Sequence, residues 1–352
     1  MKIISSPVAQ LGYRPRQMMI RGRLISPVEQ PERLKTLTAS LIEDGHQDER
    51  PSDHALDPVL RVHAQDYVDF LERAFTEWKK QPEAGPEVLP NTHPYRGVDR
   101  TGQPTGRPPA HSISGQAGWY VSDLTSAINE GTWPAVAASV RCAIHGAMLL
   151  IEGEASAYVA CRPPGHHAYR DQAAGFCFLN NAAVAADMLA PAFGRVAVID
   201  FDTHHGNGTQ SIFYDRNDVF FGSVHTNPVS YFPFYTGYAD ECGSGNGAGF
   251  NRNIPLAAGA DDAQFVEACQ VLATEAIAKG CRALVLSAGW DAHRGDPLSL
   301  LKVTDDGYAR AAELFAKMRV PTLIIQEGGY SLDVISSAPK RFLSSFCSLH
   351  KL

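Results

Sequence analysis

The sequence predicts an α/β protein whose central, mostly parallel sheet is flanked by helices, with one long loop insertion near residues 84–118. Three observations predict it. Short runs rich in β-branched residues recur from about residue 134 onward, helical patterns separate them, and run after run ends in a polar, glycine-rich segment.

The expected strands are "AYVAC" (157–161), "VAVID" (196–200), "VFFGSV" (219–224), "ALVLS" (283–287) and "TLIIQ" (322–326). Each is continuously apolar rather than alternating, as strands covered on both faces must be. Helices are expected at 134–153, 180–190, 262–279, 307–318 and 332–346, with Asn180 and Thr304 placed to cap two of them. Residues 84–118 are rich in Pro, Gly and Arg and lack periodicity, so they read as an insertion that builds an interface or roofs a site. No internal repeat divides the chain, and residues 1–352 are expected to form a single domain.

The segments at the ends of these strands point to function. "AYVAC" runs into "RPPGHH", "VAVID" into "FDTHHGNG", "ALVLS" into "AGWDAHRGDP" and "TLIIQ" into "EGGY". Ligands of open α/β sheets bind outside the carboxyl ends of the strands, so the four segments are expected to share one crevice.

Composition limits what that crevice binds. With 44% hydrophobic and 20% charged residues the chain is ordinary globular material, and a net charge of -7 without a basic run argues against nucleic acid and acidic membrane. A cationic or neutral substrate fits better. Seven scattered cysteines without a CxxC pair signal neither a disulfide framework nor a cysteine metal site. With no signal-peptide pattern and no long uninterrupted apolar run, a cytoplasmic protein that does not contact membrane is expected.

In "DFDTHH", Asp200, Asp202 and His204 alternate. If the strand stays extended, all three face the crevice. A further ligand must come from another strand end, and Asp291 is placed for it. One imidazole and two carboxylates leave a divalent ion room for water and a substrate oxygen, the arrangement of a catalytic Zn2+ site. The tandem His166 and His167 behind Pro-Pro-Gly then suit proton transfer, since imidazoles titrate near neutrality. Asp200 and Asn207 are placed to fix the two rings; a carboxylate partner favours a charged ring, which leaves His167 as the neutral base if it faces Asn207. Tyr330, beside two glycines, is placed to donate to an oxyanion.

These motifs, "RPPGHHA", "GFCFLNNAA", "DFDTHHGNGTQ", "GWDAHRGDP" and "QEGGY", resemble the zinc-dependent histone deacetylase and acetylpolyamine amidohydrolase family, of arginase-like α/β fold. "GTW" (131–133), residues 208–225 and 231–249 and the insertion look most like the bacterial acetylpolyamine amidohydrolases. The resemblance implies Zn2+ ligands at Asp202, His204 and Asp291, acid/base roles for His166 and His167, and an oxyanion donor at Tyr330. It places Gly175, Phe176 and Phe232 along a narrow tunnel and Arg33 at an internal channel. It also implies a structural K+ held by Asp200, Asp202, Ser223 and backbone oxygens of His204 and Val224, and a homodimer assembled through the insertion.

Two positions depart from parts of the family. Asn207 stands where some members carry Asp, and Leu298 stands at a gatekeeper position that is acidic in a polyamine-specific branch. A carboxylate selecting a cation must then come from elsewhere, with Asp123 and Glu87 as candidates. The expected activity is hydrolysis of small acetylated amines. Deacetylation of acetyl-lysine proteins, an arginase-like dimanganese hydrolase and a non-catalytic acyl-ligand binder are the alternatives; the last two are disfavoured by the ligand set and the complete catalytic side chains.

Overall fold

The computed structural model describes residues 1–104 and 106–351. Among them the strands are β1 (Lys2–Ile4), β2 (Met18–Ile20), β3 (Arg23–Ile25), β4 (Gln47–Glu49), β5 (Ser156–Val159), β6 (Val196–Asp200), β7 (Val219–Thr226), β8 (Asn251–Leu256), β9 (Ala283–Ala288) and β10 (Thr322–Gln326). Eight of these form one sheet in the order β4-β1-β5-β10-β9-β6-β7-β8, every pairing parallel, while β2 and β3 form a separate antiparallel hairpin.

Two-sided burial explains the apolar strands. Val196 and Val198 pack into a core on one face, Ala197 and Ile199 into a second core on the other, and Leu323 and Ile324 divide in the same way. Helices Thr132–Ile151 and Asn181–Phe193 cover the first face; Pro31–Glu43, Asp262–Ala278, Asp305–Ala316 and Leu332–Leu349 cover the second. Helix Thr132–Ile151 is long and apolar enough to cross a membrane by length and composition, but 72% of its most apolar window is buried inside the fold.

The five expected strands and five expected helices are all present, and three sheet strands were not foreseen. β1 and β4 have three residues each, too few to show a period, and β8, "NRNIPL", is a polar edge strand. Asn180 caps its helix by accepting from the N–H of Ala183 at 2.9 Å. Thr304 stands at the N-cap position without capping through its side chain: its hydroxyl donates to Asp262 instead. The insertion is not wholly irregular, since its end enters helix Ile113–Tyr120, capped by Ser112.

Neighbour order positions the site. β5, β10, β9 and β6 are consecutive at the centre of the sheet and point the same way, so the four segments singled out in the sequence leave it side by side.

Candidate active site

β6 ends at Asp200, and the chain then bends rather than staying extended as far as His204. Each carboxylate captures the backbone ahead of it: the Asp202 N–H donates to Asp200 Oδ1 at 3.0 Å, and the His204 N–H to Asp202 Oδ1 at 2.8 Å. Alternation survives the bend, because Phe201 enters the core and the Thr203 hydroxyl pairs with Thr226. Asp291 reaches the same point from β9, its Oδ1 accepting from the Thr203 N–H at 3.0 Å.

Asp202, His204 and Asp291 place ligand atoms within 4.8 Å of one another. His204 Nδ1 lies 3.0 Å from Asp202 Oδ1 and 3.2 Å from Asp291 Oδ2. One N–H cannot serve both carboxylates, and Asp291 Oδ2 is left buried without a hydrogen bond. Burial opposes charge on His204, but the adjacent Asp202 and Asp291 carboxylates outweigh it and raise its pKa to about 9. Burial and the Asp202 charge push the Asp291 carboxyl up. A divalent cation would satisfy all three groups at once, so the donor set fits the expected metal.

The two histidines have opposite electrostatics. Their ring centres are 4.0 Å apart; His166 Nδ1 lies 2.9 Å from Asp200 Oδ2 and His167 Nδ1 lies 2.7 Å from Asn207 Oδ1. Burial opposes charge on both. For His166 the Asp200 and Asp202 carboxylates prevail and raise the pKa to about 10. His167 has only an amide partner, and with His166 and His204 nearby it is pushed well below the usual imidazole range. One ring is therefore charged and the other neutral at neutral pH.

Glu327, part of "QEGGY" but given no role from sequence, holds the turn that bears them. Its Oε2 accepts from the N–H groups of Gly165 at 2.7 Å and His166 at 3.1 Å, and its Oε1 from Ser287. Asp296 was likewise missed inside "RGDP": its Oδ2 accepts from the N–H groups of Tyr330 at 2.6 Å and Ser331 at 2.9 Å. Arg33 crosses the far side, its guanidinium carbon 4.6 Å from the Tyr330 ring centre, and donates to the carbonyls of Gly329 and Glu327. Glu29 accepts from both Arg33 and Arg162, and a small cavity lined by Arg33, Cys161, Arg162 and Gln326 lies behind them.

Aromatic rings pack against the candidate catalytic side chains. Phe232 meets His167 edge-on at 4.9 Å, Tyr231 stacks on His204 at 4.9 Å, and Phe176 faces Tyr330 at 5.8 Å. Gly175 has φ +53°, and a Cβ there would lie 2.3 Å from His167 Cδ2, so only glycine fits beside the ring. Leu298 takes part through its carbonyl, which accepts from the Tyr231 hydroxyl. Neither candidate cation selector is unengaged. Asp123 accepts from the N–H of Gly175 at 2.6 Å and from Thr125, while Glu87 is buried and accepts from the N–H groups of Arg16 and Gln17. Asp200 and Ser223 are paired across β6 and β7, and the Ser223 hydroxyl bonds His225 at 2.8 Å; Val224 follows in β7.

This fold and this site define a class, the hydrolases that remove acyl groups from amines. A histone deacetylase domain matches residues 27–346, and the chain belongs to the histone deacetylase family. It is 38% identical to an acetylpolyamine amidohydrolase of Burkholderia pseudomallei (strain 1710b), over 96% of each chain. It is 41% identical to an acetylpolyamine amidohydrolase of Mycoplana ramosa, over 89% of this chain and 90% of the other. A crystal structure of acetylpolyamine aminohydrolase from Burkholderia pseudomallei superposes with a TM-score of 0.93 and 38% identity over 99% of both chains.

Proposed function

We propose that the chain, acting as one deacetylase domain, hydrolyses acetylated polyamines or related small acetylated amines at a site holding one Zn2+ between Asp202, His204 and Asp291. The observation that carries this reading is the contrast within the histidine pair, His166 held by the Asp200 carboxylate at 2.9 Å and His167 by the Asn207 amide at 2.7 Å, beside a three-ligand cluster with an orphaned carboxylate oxygen. The two relatives named for acetylpolyamines support the substrate. Bound Zn2+ supplies Lewis-acid polarisation of the acetyl carbonyl and acidifies water beside it.

The chain's own groups do the rest. Neutral His167, its Nδ1 held by Asn207, takes the proton that attacking water loses. The Tyr330 O–H donates to the carbonyl oxygen as it gains negative charge. Charged His166, held by Asp200, gives its proton to the departing nitrogen as the C–N bond breaks, leaving acetate and a free amine. Phe176 and Phe232 with Gly175 form the slot for the acyl-amine chain. We extend the proposal to a structural K+ at Asp200, Asp202, His204, Ser223 and Val224, supported by the pairing of Asp200 with Ser223.

The deciding experiment compares rates on acetylputrescine, acetylcadaverine, N8-acetylspermidine and an acetyl-lysine peptide with Zn2+-loaded enzyme. Preference for the small amines is expected. Preference for the peptide would keep the chemistry and overturn the substrate.

A further inference from the structure

We propose that Tyr169 is a positioning residue for the base, acting on His167 through the side chain of Asn207; this rests on the reading of His167 as the proton acceptor. Asn207 is held at both ends. Its Oδ1 lies 2.7 Å from His167 Nδ1, and its Nδ2 donates to the Tyr169 hydroxyl at 2.7 Å. Tyr169 lies two residues beyond His167 and is fixed by its own backbone, its N–H donating to the Gln172 carbonyl at 2.9 Å in a local antiparallel bridge. The relay thus runs from one loop residue, across the first residue of helix Asn207–Phe213, back to the same loop.

A carboxamide presents an acceptor at one end and a donor at the other, so its orientation decides what the imidazole can do. With Oδ1 toward the ring, Nδ1 keeps its proton and Nε2 keeps the lone pair that a base needs; with the amide turned over, the proton must move to Nε2 and the ring cannot accept there. Once His167 takes a proton both ring nitrogens are donors, and only Oδ1 can face it. The amide N–H then needs an acceptor of its own, and the phenol oxygen supplies it. His166 needs no such device, because its partner Asp200 is an anion with acceptors on both oxygens. A phenol can donate as well as accept, so the protonated ring selects the amide's orientation and Tyr169 holds the carboxamide in place for it.

The test is Tyr169→Phe in Zn2+-loaded enzyme, alone and combined with Asn207→Ala. The single variant should lose about tenfold in kcat at unchanged KM and metal content. In the Asn207→Ala background the same change should cost less than about twofold, since the relay is already cut. The parent should show a downfield ring N–H proton of His167 by NMR, and in Tyr169→Phe that signal should broaden into exchange with solvent. An unchanged kcat, an equal penalty with and without Asn207, or a sharp N–H signal in the variant each overturns the proposal. If the parent hydrolyses no acetylated amine, the functional reading fails, and the N–H signal alone then decides whether the relay exists.

Discussion

Asp291 Oδ2 lies 3.2 Å from His204 Nδ1 yet accepts no hydrogen bond, because the imidazole N–H is spent on Asp202 at 3.0 Å. The proton on Nδ1 stands where a cation would bind, and its pKa is raised to about 9 by the carboxylates around it. Metal loading at neutral pH should therefore expel that proton, together with any held on Asp291, whose carboxyl is pushed up. The sign comes from the raised value: below about pH 9 the metal competes with the proton, so apparent affinity rises with pH and levels off above it. Calorimetry of Zn2+ binding in buffers of different ionisation enthalpy reads the number directly. Metal uptake without proton release at neutral pH would show that His204 is not the ligand.

Asp202, His204 and Asp291 make a three-ligand set without Tyr330, so Tyr330→Phe should leave Zn2+ content intact while lowering kcat by about 100- to 1,000-fold, as loss of an oxyanion donor does. Its loop is held through backbone N–H groups by Asp296, which the substitution does not touch. Parallel loss of metal and activity would instead make Tyr330 structural.

The charge on His166 is maintained by Asp200 and Asp202 against burial. Its raised pKa means the charged form persists on the alkaline side of neutrality and is lost only as pH climbs toward about 10. Asp200→Asn removes one of the carboxylates that raise it, so the alkaline limb of kcat should move down by about one unit or more. An unmoved limb would assign the departing amine's proton to another group.

Much of this site was legible because its parts cap buried strands. In "VAVID" and "TLIIQ" a continuous apolar run stops abruptly at polar residues, and that contrast needs no tertiary knowledge. The division of labour within one motif, Asp200 for a histidine ring and Asp202 beside His204, was expected as well, and the bend after β6 sets it: Asp200 holds His166 and Asp202 faces His204. Glu327 and Asp296 were overlooked because they act on backbone N–H groups far away in sequence, at Gly165 and Tyr330, and backbone donors leave no residue signature. Glu87, one of two candidate cation selectors in the sequence, lies in an irregular stretch whose burial no periodicity reveals; it is buried on the N–H groups of Arg16 and Gln17.

Gly328 provides a test of metal binding that keeps every ligand residue. A Cβ there would stand 2.2 Å from Asp291 Oδ2 and 2.4 Å from Asp202 Oδ2, wedged between the two carboxylates. The Gly328 N–H also donates to Asp202 Oδ2 at 2.8 Å. Gly328→Ala should fold, with near-parent circular dichroism, but retain far less Zn2+ after dialysis. Full retention would place the ion elsewhere.

We propose the insertion as a source of selectivity, and its anchoring suggests how to remove it. Arg96 pairs with Asp171 and lies 4.7 Å over the Trp119 ring, which ties the loop to the segment just beyond His166 and His167. On either side of that anchor Tyr95 is 75% exposed and Val98 60% exposed, and we propose this apolar surface as a contact with a second copy of the chain. Glu87 must be kept, because removing it would leave buried N–H groups without an acceptor. Shortening the excursion between residues 93 and 107 should therefore preserve the fold and Zn2+ content, reduce the mass in solution measured by light scattering, and raise activity on bulky acetylated peptides relative to acetylputrescine. The two readouts separate the roles of the loop. A smaller particle with unchanged preference would confine it to assembly; an unchanged particle with broadened preference would make it a roof over the site of its own chain; and no change in either would remove it from both.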